Sequence, residues 1–177
     1  MGFLGQINLF MPICITFAGP VGSSKTPIAT YLSWNLGLPI FNNDAIRSEV
    51  AEDLGKYDVE VYKQRQKERA TKLIESGISC IIDASVDRSW PEVKPRLQAK
   101  GYKCFVISLD LSKELMEKLH KAKGYNESLE RLESIMADHE NFLSQFKDEV
   151  GISITDENFG QRLELCLQVV REWRRND

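Results

Sequence analysis

Residues 19–26 read GPVGSSKT, a glycine-rich stretch with a lysine and a hydroxyl residue directly behind it. The pattern of a phosphate-binding loop is G-x-x-x-x-G-K-[ST], and Ser24 stands where that pattern has its second glycine. Gly19, Pro20, Val21, Gly22, Ser23, Ser24, Lys25 and Thr26 can curl into a nest whose backbone N–H groups meet phosphate oxygens. A helix starting there adds partial positive charge. Lys25 would reach the β- and γ-phosphates of ATP, and the Thr26 hydroxyl would ligate Mg²⁺. A chance glycine turn is the plainer reading. Ser24 fits without cost if its φ is negative, and its hydroxyl can then bond a phosphate oxygen. At positive φ it costs about 1–2 kcal/mol. The expectation is a nucleotide site that still binds, less tightly than one with glycine at 24.

Other residues fit the same chemistry. Asp83 ends the apolar run ISCIIDA, as does a carboxylate that holds a Mg²⁺ shell directly or through water. It also suits a turn or helix cap. Asp44 and Arg47 form a D-x-x-R pair at the head of a helical stretch. Asp44 can cap that helix, and it can orient or deprotonate an attacking hydroxyl. Arg47, one turn on, can clamp an anionic or polyol acceptor.

These residues need elements to position them. ICITFA (13–18), LPIF (38–41), ISCIIDA (78–84), KCFVISLD (103–110) and GISIT (151–155) read as short strands, several of them apolar on both faces. Between and after them lie helical stretches at 24–36, 44–54, 58–77, 91–100, 112–123, 127–147 and 160–174. Strand and helix alternate, which predicts an α/β fold with a parallel sheet covered on both faces. Ligands of such a sheet bind beyond the carboxyl ends of its strands. Lys25, Asp44, Arg47, Asp83 and Asp110 all fall on that rim.

Composition sets outer limits. The 177 residues fit one domain, with 42% hydrophobic and 28% charged residues. A formal charge of −3 excludes bulk attraction to nucleic acid. The four cysteines are far apart and read as buried free thiols of a reducing cytosol. His120 and His139 read as solvated helix-face residues. Residues 1–10 are apolar without a leading Lys or Arg, a poor secretory signal, and the run is short of the ~20 residues of a membrane span. They read as an extension outside the core, with Met11 an alternative start.

The series GPVGSSKT, NDAIR and IIDAS resembles the small P-loop kinases, a group that includes polynucleotide kinase, zeta toxin, gluconate kinase and adenylate kinase relatives. The D-x-x-R after the second strand is most similar to the polynucleotide-kinase and zeta-toxin side. The resemblance spans residues 12–172. It implies a three-layer P-loop NTPase sandwich with a five-stranded parallel sheet of order 2-3-1-4-5. It also implies a helical lid after strand four (112–131) that brings arginines to the phosphates. Here the lid helix offers Lys118 and Lys121, with Lys123 beside them and Arg131 later; a solvated basic face is the plainer reading. Arg88 and Arg96 are further candidates for the phosphate or acceptor side. Acceptor specificity is expected in the helices of 44–77. The expected function is an ATP- and Mg²⁺-dependent phosphotransferase to a hydroxyl of a small molecule or a nucleic-acid end, in the cytoplasm and off the membrane. The alternatives are a nucleotide-binding protein that hydrolyses slowly or only senses ATP, and a relative with a dead site that binds a protein partner.

Overall fold

The computed structural model describes residues 11–175; the expected extension over 1–10 lies outside them. Five parallel strands form one sheet: β1 (Ile13–Ala18), β2 (Ile40–Asn42), β3 (Cys80–Ser85), β4 (Lys103–Leu109) and β5 (Val150–Ile154). Their order is β2-β3-β1-β4-β5, with β1 central. β1 explains its own position, since all six of its residues are buried and only a central strand has both faces covered. Ile13, Ile15 and Phe17 face one core with Ile28, Leu32 and Val170. Cys14 and Ala18 face the other side, where Leu97, Tyr102, Trp90 and Phe142 pack.

The helices are α1 (Lys25–Leu36), α2 (Asn43–Leu54), α3 (Val59–Ser76), α4 (Trp90–Ala99), α5 (Lys113–Lys123), α6 (Asn126–Glu130), α7 (Leu132–Phe146) and α8 (Arg162–Arg175). Asp58 caps α3, its carboxylate accepting from the Glu60 and Val61 N–H groups. Gly37, Gly77 and Gly124 end α1, α3 and α5 in the left-handed region.

Two expectations change. The helix expected over 127–147 is broken at Arg131, which lies between α6 and α7. The break lets α7 turn onto the sheet and bury Leu132, His139 and Phe142. The two histidines are not solvated: His120 is 0% exposed and His139 is 4% exposed. Each shares an inward stripe with apolar neighbours, His120 with Met116 and His139 with Phe142. The cysteines are all free, three buried and Cys104 half-buried. Burial pushes the Cys104 thiol up to about 11 and that of Cys166 up to about 12.

Candidate active site

β1 ends against the loop 19–26, and the loop runs directly into α1. Gly19 has φ 136° and Gly22 has φ 84°, conformations that L side chains resist. Space confirms the choice of glycine. A Cβ on Gly19 would lie 2.8 Å from the Leu109 Cβ, and one on Gly22 would lie 2.8 Å from the His120 Cε1. The Lys25 ammonium sits in the concavity, donating to the carbonyls of Gly19 (2.9 Å) and Pro20 (2.5 Å) and lying 3.3 Å from the Ser23 Oγ. Burial lowers its pKa from the ordinary lysine value to about 8; Asp87 and Asp83 oppose that shift, and Lys123 adds to it. The first N–H groups of α1 have no intrahelical acceptor, and Lys25, Thr26 and Pro27 of its first turn line the cavity described below.

The remaining carboxylates are set by β2 and β3. Their register pairs Asn42 with Asp83. Asn42 then serves two partners. Its Oδ1 caps α2 by accepting from the Asp44 N–H (2.7 Å) and the Ala45 N–H (3.1 Å), while its Nδ2 donates to Asp83 at 3.0 Å. Asn42 thus takes the capping place that suited Asp44, whose carboxylate is left exposed at the rim. Burial raises the Asp83 carboxyl above its ordinary value, against the Thr26 hydroxyl and the Lys25 ammonium; nearby Asp44 raises it further. A cavity of about 560 Å³ at this point is lined by the loop, Asp44, Asp83 and Ser85, and on the lid side by Lys123 and Tyr125. Arg47 lies farther out, stacked 4.5 Å over the Tyr57 ring.

The lid lysines require a correction. Lys118 pairs with Glu114 at 2.7 Å and Lys121 lies 3.8 Å from Glu117; both side chains are 67% exposed and face away from the loop. Lys123 makes the contact instead, donating to the Gly22 carbonyl at 2.7 Å. The reason is helical spacing: Met116, His120 and Lys123 share the inward stripe, and Glu114, Lys118 and Lys121 share the outward one. Arg131 and Arg88 line a second cavity of about 440 Å³ that meets the loop at Gly19 and Val21. Arg88 also lies 3.5 Å from Asp138. Arg96 lies away from the loop, 3.4 Å from the Thr71 hydroxyl. Asp110 is exposed on the rim but lines neither cavity.

No protein-family model and no curated protein sequence matches the chain. Solved structures do. The chain is similar to the APS kinase CysC of Mycobacterium tuberculosis, with a TM-score of 0.62 at 16% identity over 91% of this chain and 98% of that one. A gluconokinase from Sinorhizobium meliloti aligns with a TM-score of 0.60 at 13% identity, over 94% and 95% of the two chains. The chain has the P-loop kinase fold. A structure from the PezAT toxin–antitoxin system of Streptococcus pneumoniae shares it, with a TM-score of 0.59 at 20% identity, over 82% of this chain and 66% of that one.

Within the P-loop, Ser24 is the only non-glycine residue at positive φ (81°) among those described. Its hydroxyl accepts from the Arg162 Nε at 3.0 Å. Arg162 also donates to the Phe159 carbonyl and stacks 4.1 Å over the Phe159 ring. Arg162 carried no signal in the sequence. The strained φ costs about 1–2 kcal/mol, and the bond to a charged donor returns a similar amount. Ser24→Gly removes both, so its stability should stay within about 1 kcal/mol of the parent. Ser24→Ala keeps the strain and loses the bond, and should cost about 1–2 kcal/mol. Urea unfolding of both variants checks the ordering.

Proposed function

We propose that the protein is an ATP- and Mg²⁺-dependent phosphotransferase acting on a hydroxyl of a small molecule or a nucleic-acid end. The observation that carries this reading is the convergence of Lys25, Thr26, Asp83 and Asp44 on one cavity at the mouth of the P-loop. The loop N–H groups and Lys25 would hold the phosphates, a bound phosphate competing with loop carbonyls for the ammonium. Thr26 and Asp83 offer oxygen donors to a hard cation. Among the described residues no cluster of three or more His, Cys, Asp or Glu could hold a metal. That suits Mg²⁺, which takes one or two protein oxygens and fills its shell with phosphate and water. When bound, the ion would neutralise charge on the phosphate oxygens.

In the transfer, the acceptor oxygen forms the new bond to the γ-phosphorus as the bond to the β–γ bridging oxygen breaks and ADP leaves. Asp44 takes the hydroxyl proton. Arg47, with the helices of 44–77, positions the acceptor, and the lid of 112–131 brings Lys123 and Arg131 to the phosphate side. Catalysis is then mostly positioning and electrostatics. We place the protein in the cytoplasm, where its free thiols persist. Among the described residues no helix is long and apolar enough to cross a membrane.

Two observations favour the second reading, a nucleotide-binding protein with slow or no transfer: the strained Ser24 and the outward Lys118 and Lys121. Incubation with γ-labelled ATP and a panel of sugars, nucleosides and oligonucleotide ends separates the two. Label transferred to an acceptor supports the kinase; nucleotide binding with label only in inorganic phosphate, or none released, supports the second reading.

The Lys25 shift gives a pH dependence. The protonated amine attracts phosphate, and its folded-state pKa is lowered to about 8. ATP affinity, titrated in EDTA, should therefore be level below that pH and fall as pH rises through it. An affinity unchanged until pH about 10, the range of an ordinary lysine, would contradict the lowered value, and Lys25→Ala then decides whether the charge binds phosphate at all.

A further inference from the structure

The P-loop begins at a backbone group that a side chain far away in sequence holds. The Gly19 N–H lies 3.0 and 3.1 Å from the two carboxylate oxygens of Asp87. Asp87 belongs to the turn between β3 and α4. It reaches the loop because the β1–β3 register slips, from Ile15 opposite Ile81 to Phe17 opposite Ser85. The Val86 N–H donates to the Phe17 carbonyl at 2.8 Å and the Asp87 N–H to the Ser85 Oγ at 3.2 Å, which fixes the turn against the end of β1.

Behind the carboxylate stands His139 of α7. Its Nδ1 is 3.0 Å from the Asp87 Oδ1 and its Nε2 is 3.2 Å from the Ser108 Oγ on β4. The His139 and Asp87 side chains are 5% and 7% exposed, and Ser108 is fully buried. A carboxylate only accepts, so Nδ1 carries a proton, and in the neutral ring the Ser108 hydroxyl donates to Nε2. Every polar atom of the chain Gly19–Asp87–His139–Ser108 then has a partner. None of these side chains is used in the proposed transfer.

We propose that Asp87, held by His139, is a positioning residue that fixes the first peptide of the P-loop in its phosphate-binding orientation. Gly19 is held from both sides, its N–H by Asp87 and its carbonyl by Lys25, so a shift of this residue would move both the nest and the ammonium. The bond is charge-assisted and shielded from water, conditions under which a hydrogen bond is strong and its loss costly. This role rests on the reading of the loop as a phosphate site.

The test uses the full chain and reads the loop in two ways. The first is the Gly19 amide by NMR without nucleotide: its hydrogen exchange should be slow in the parent and fast in Asp87→Leu, which offers the amide no acceptor. The second is ATP affinity, which should fall about tenfold in Asp87→Leu, which has no acceptor, and in His139→Phe, the loss of one bond to a charged group. His139→Asn restores a donor to the carboxylate. It should recover much of the affinity while remaining less stable than the parent, because the ring stacked on Phe142 is gone. A merely structural His139 would give affinities that follow stability instead, with His139→Asn no better than His139→Phe. That result overturns the proposal, as does a Gly19 amide unchanged in Asp87→Leu. Should the parent bind no nucleotide, the phosphate-site reading fails by itself, and the Gly19 amide still decides whether Asp87 holds the loop.

Discussion

Asp44→Asn is expected to lower phosphoryl transfer about 10²–10⁴-fold, the usual contribution of a general base, while ATP affinity stays that of the parent. The expectation rests on where Asp44 stands. Its carboxylate borders the cavity that holds Lys25, Thr26 and Asp83, yet makes none of the contacts that shape the loop. Because Asn42 caps α2, the change removes no cap and should leave stability nearly untouched. Single-turnover transfer and nucleotide titration on the same variant check both halves. A parallel fall in affinity and rate would make Asp44 a binding group; an unchanged rate would remove it from the reaction.

Gly22→Ala is expected to damage both the loop and the helix packed on it. Two effects add. The left-handed backbone at φ 84° costs about 1–2 kcal/mol for any Cβ. The new methyl also overlaps His120, which is buried, hydrogen-bonded through Nδ1 to the Met116 carbonyl at 2.8 Å and unable to swing aside. Overpacking of that kind costs about 1–3 kcal/mol. The sum is a loss of about 2–5 kcal/mol, together with displacement of α5 and of Lys123 from the Gly22 carbonyl. Urea unfolding gives the first quantity, and nucleotide titration of the folded fraction should show affinity lost with it. A variant as stable as the parent would mean that α5 does not pack on the loop.

The parts of this site that local sequence determines were legible in the sequence. β1 shows its burial as a short, largely apolar run, and GPVGSSKT marks the loop between β1 and α1 by residue type and spacing. The strand order came from resemblance to the P-loop kinases, because pairing between distant strands leaves no mark in any one of them. Partners fixed by register stayed hidden for the same reason. Asn42 meets Asp83 only once β2 lies beside β3, and Asp87 meets Gly19 only through the slip between β1 and β3. Ser24 could not be assigned a φ from its type, since serine fits the loop in either sign until the backbone is built. The choice between Lys118, Lys121 and Lys123 was within reach. The stripe Met116–His120–Lys123 was already written at helical spacing, and it would have buried His120 as well.

The central claim is that the P-loop holds nucleotide with serine at position 24. Thermal unfolding of the parent and of Lys25→Ala, each with and without ATP and Mg²⁺, tests it most directly. A ligand at 100 times its Kd stabilises the folded state by about 2.7 kcal/mol. For a chain of this size that raises Tm by roughly 2–4 °C or more. The account predicts such a rise in the parent and its loss in Lys25→Ala. No rise with ATP, ADP or GTP, or an equal rise in Lys25→Ala, would contradict it.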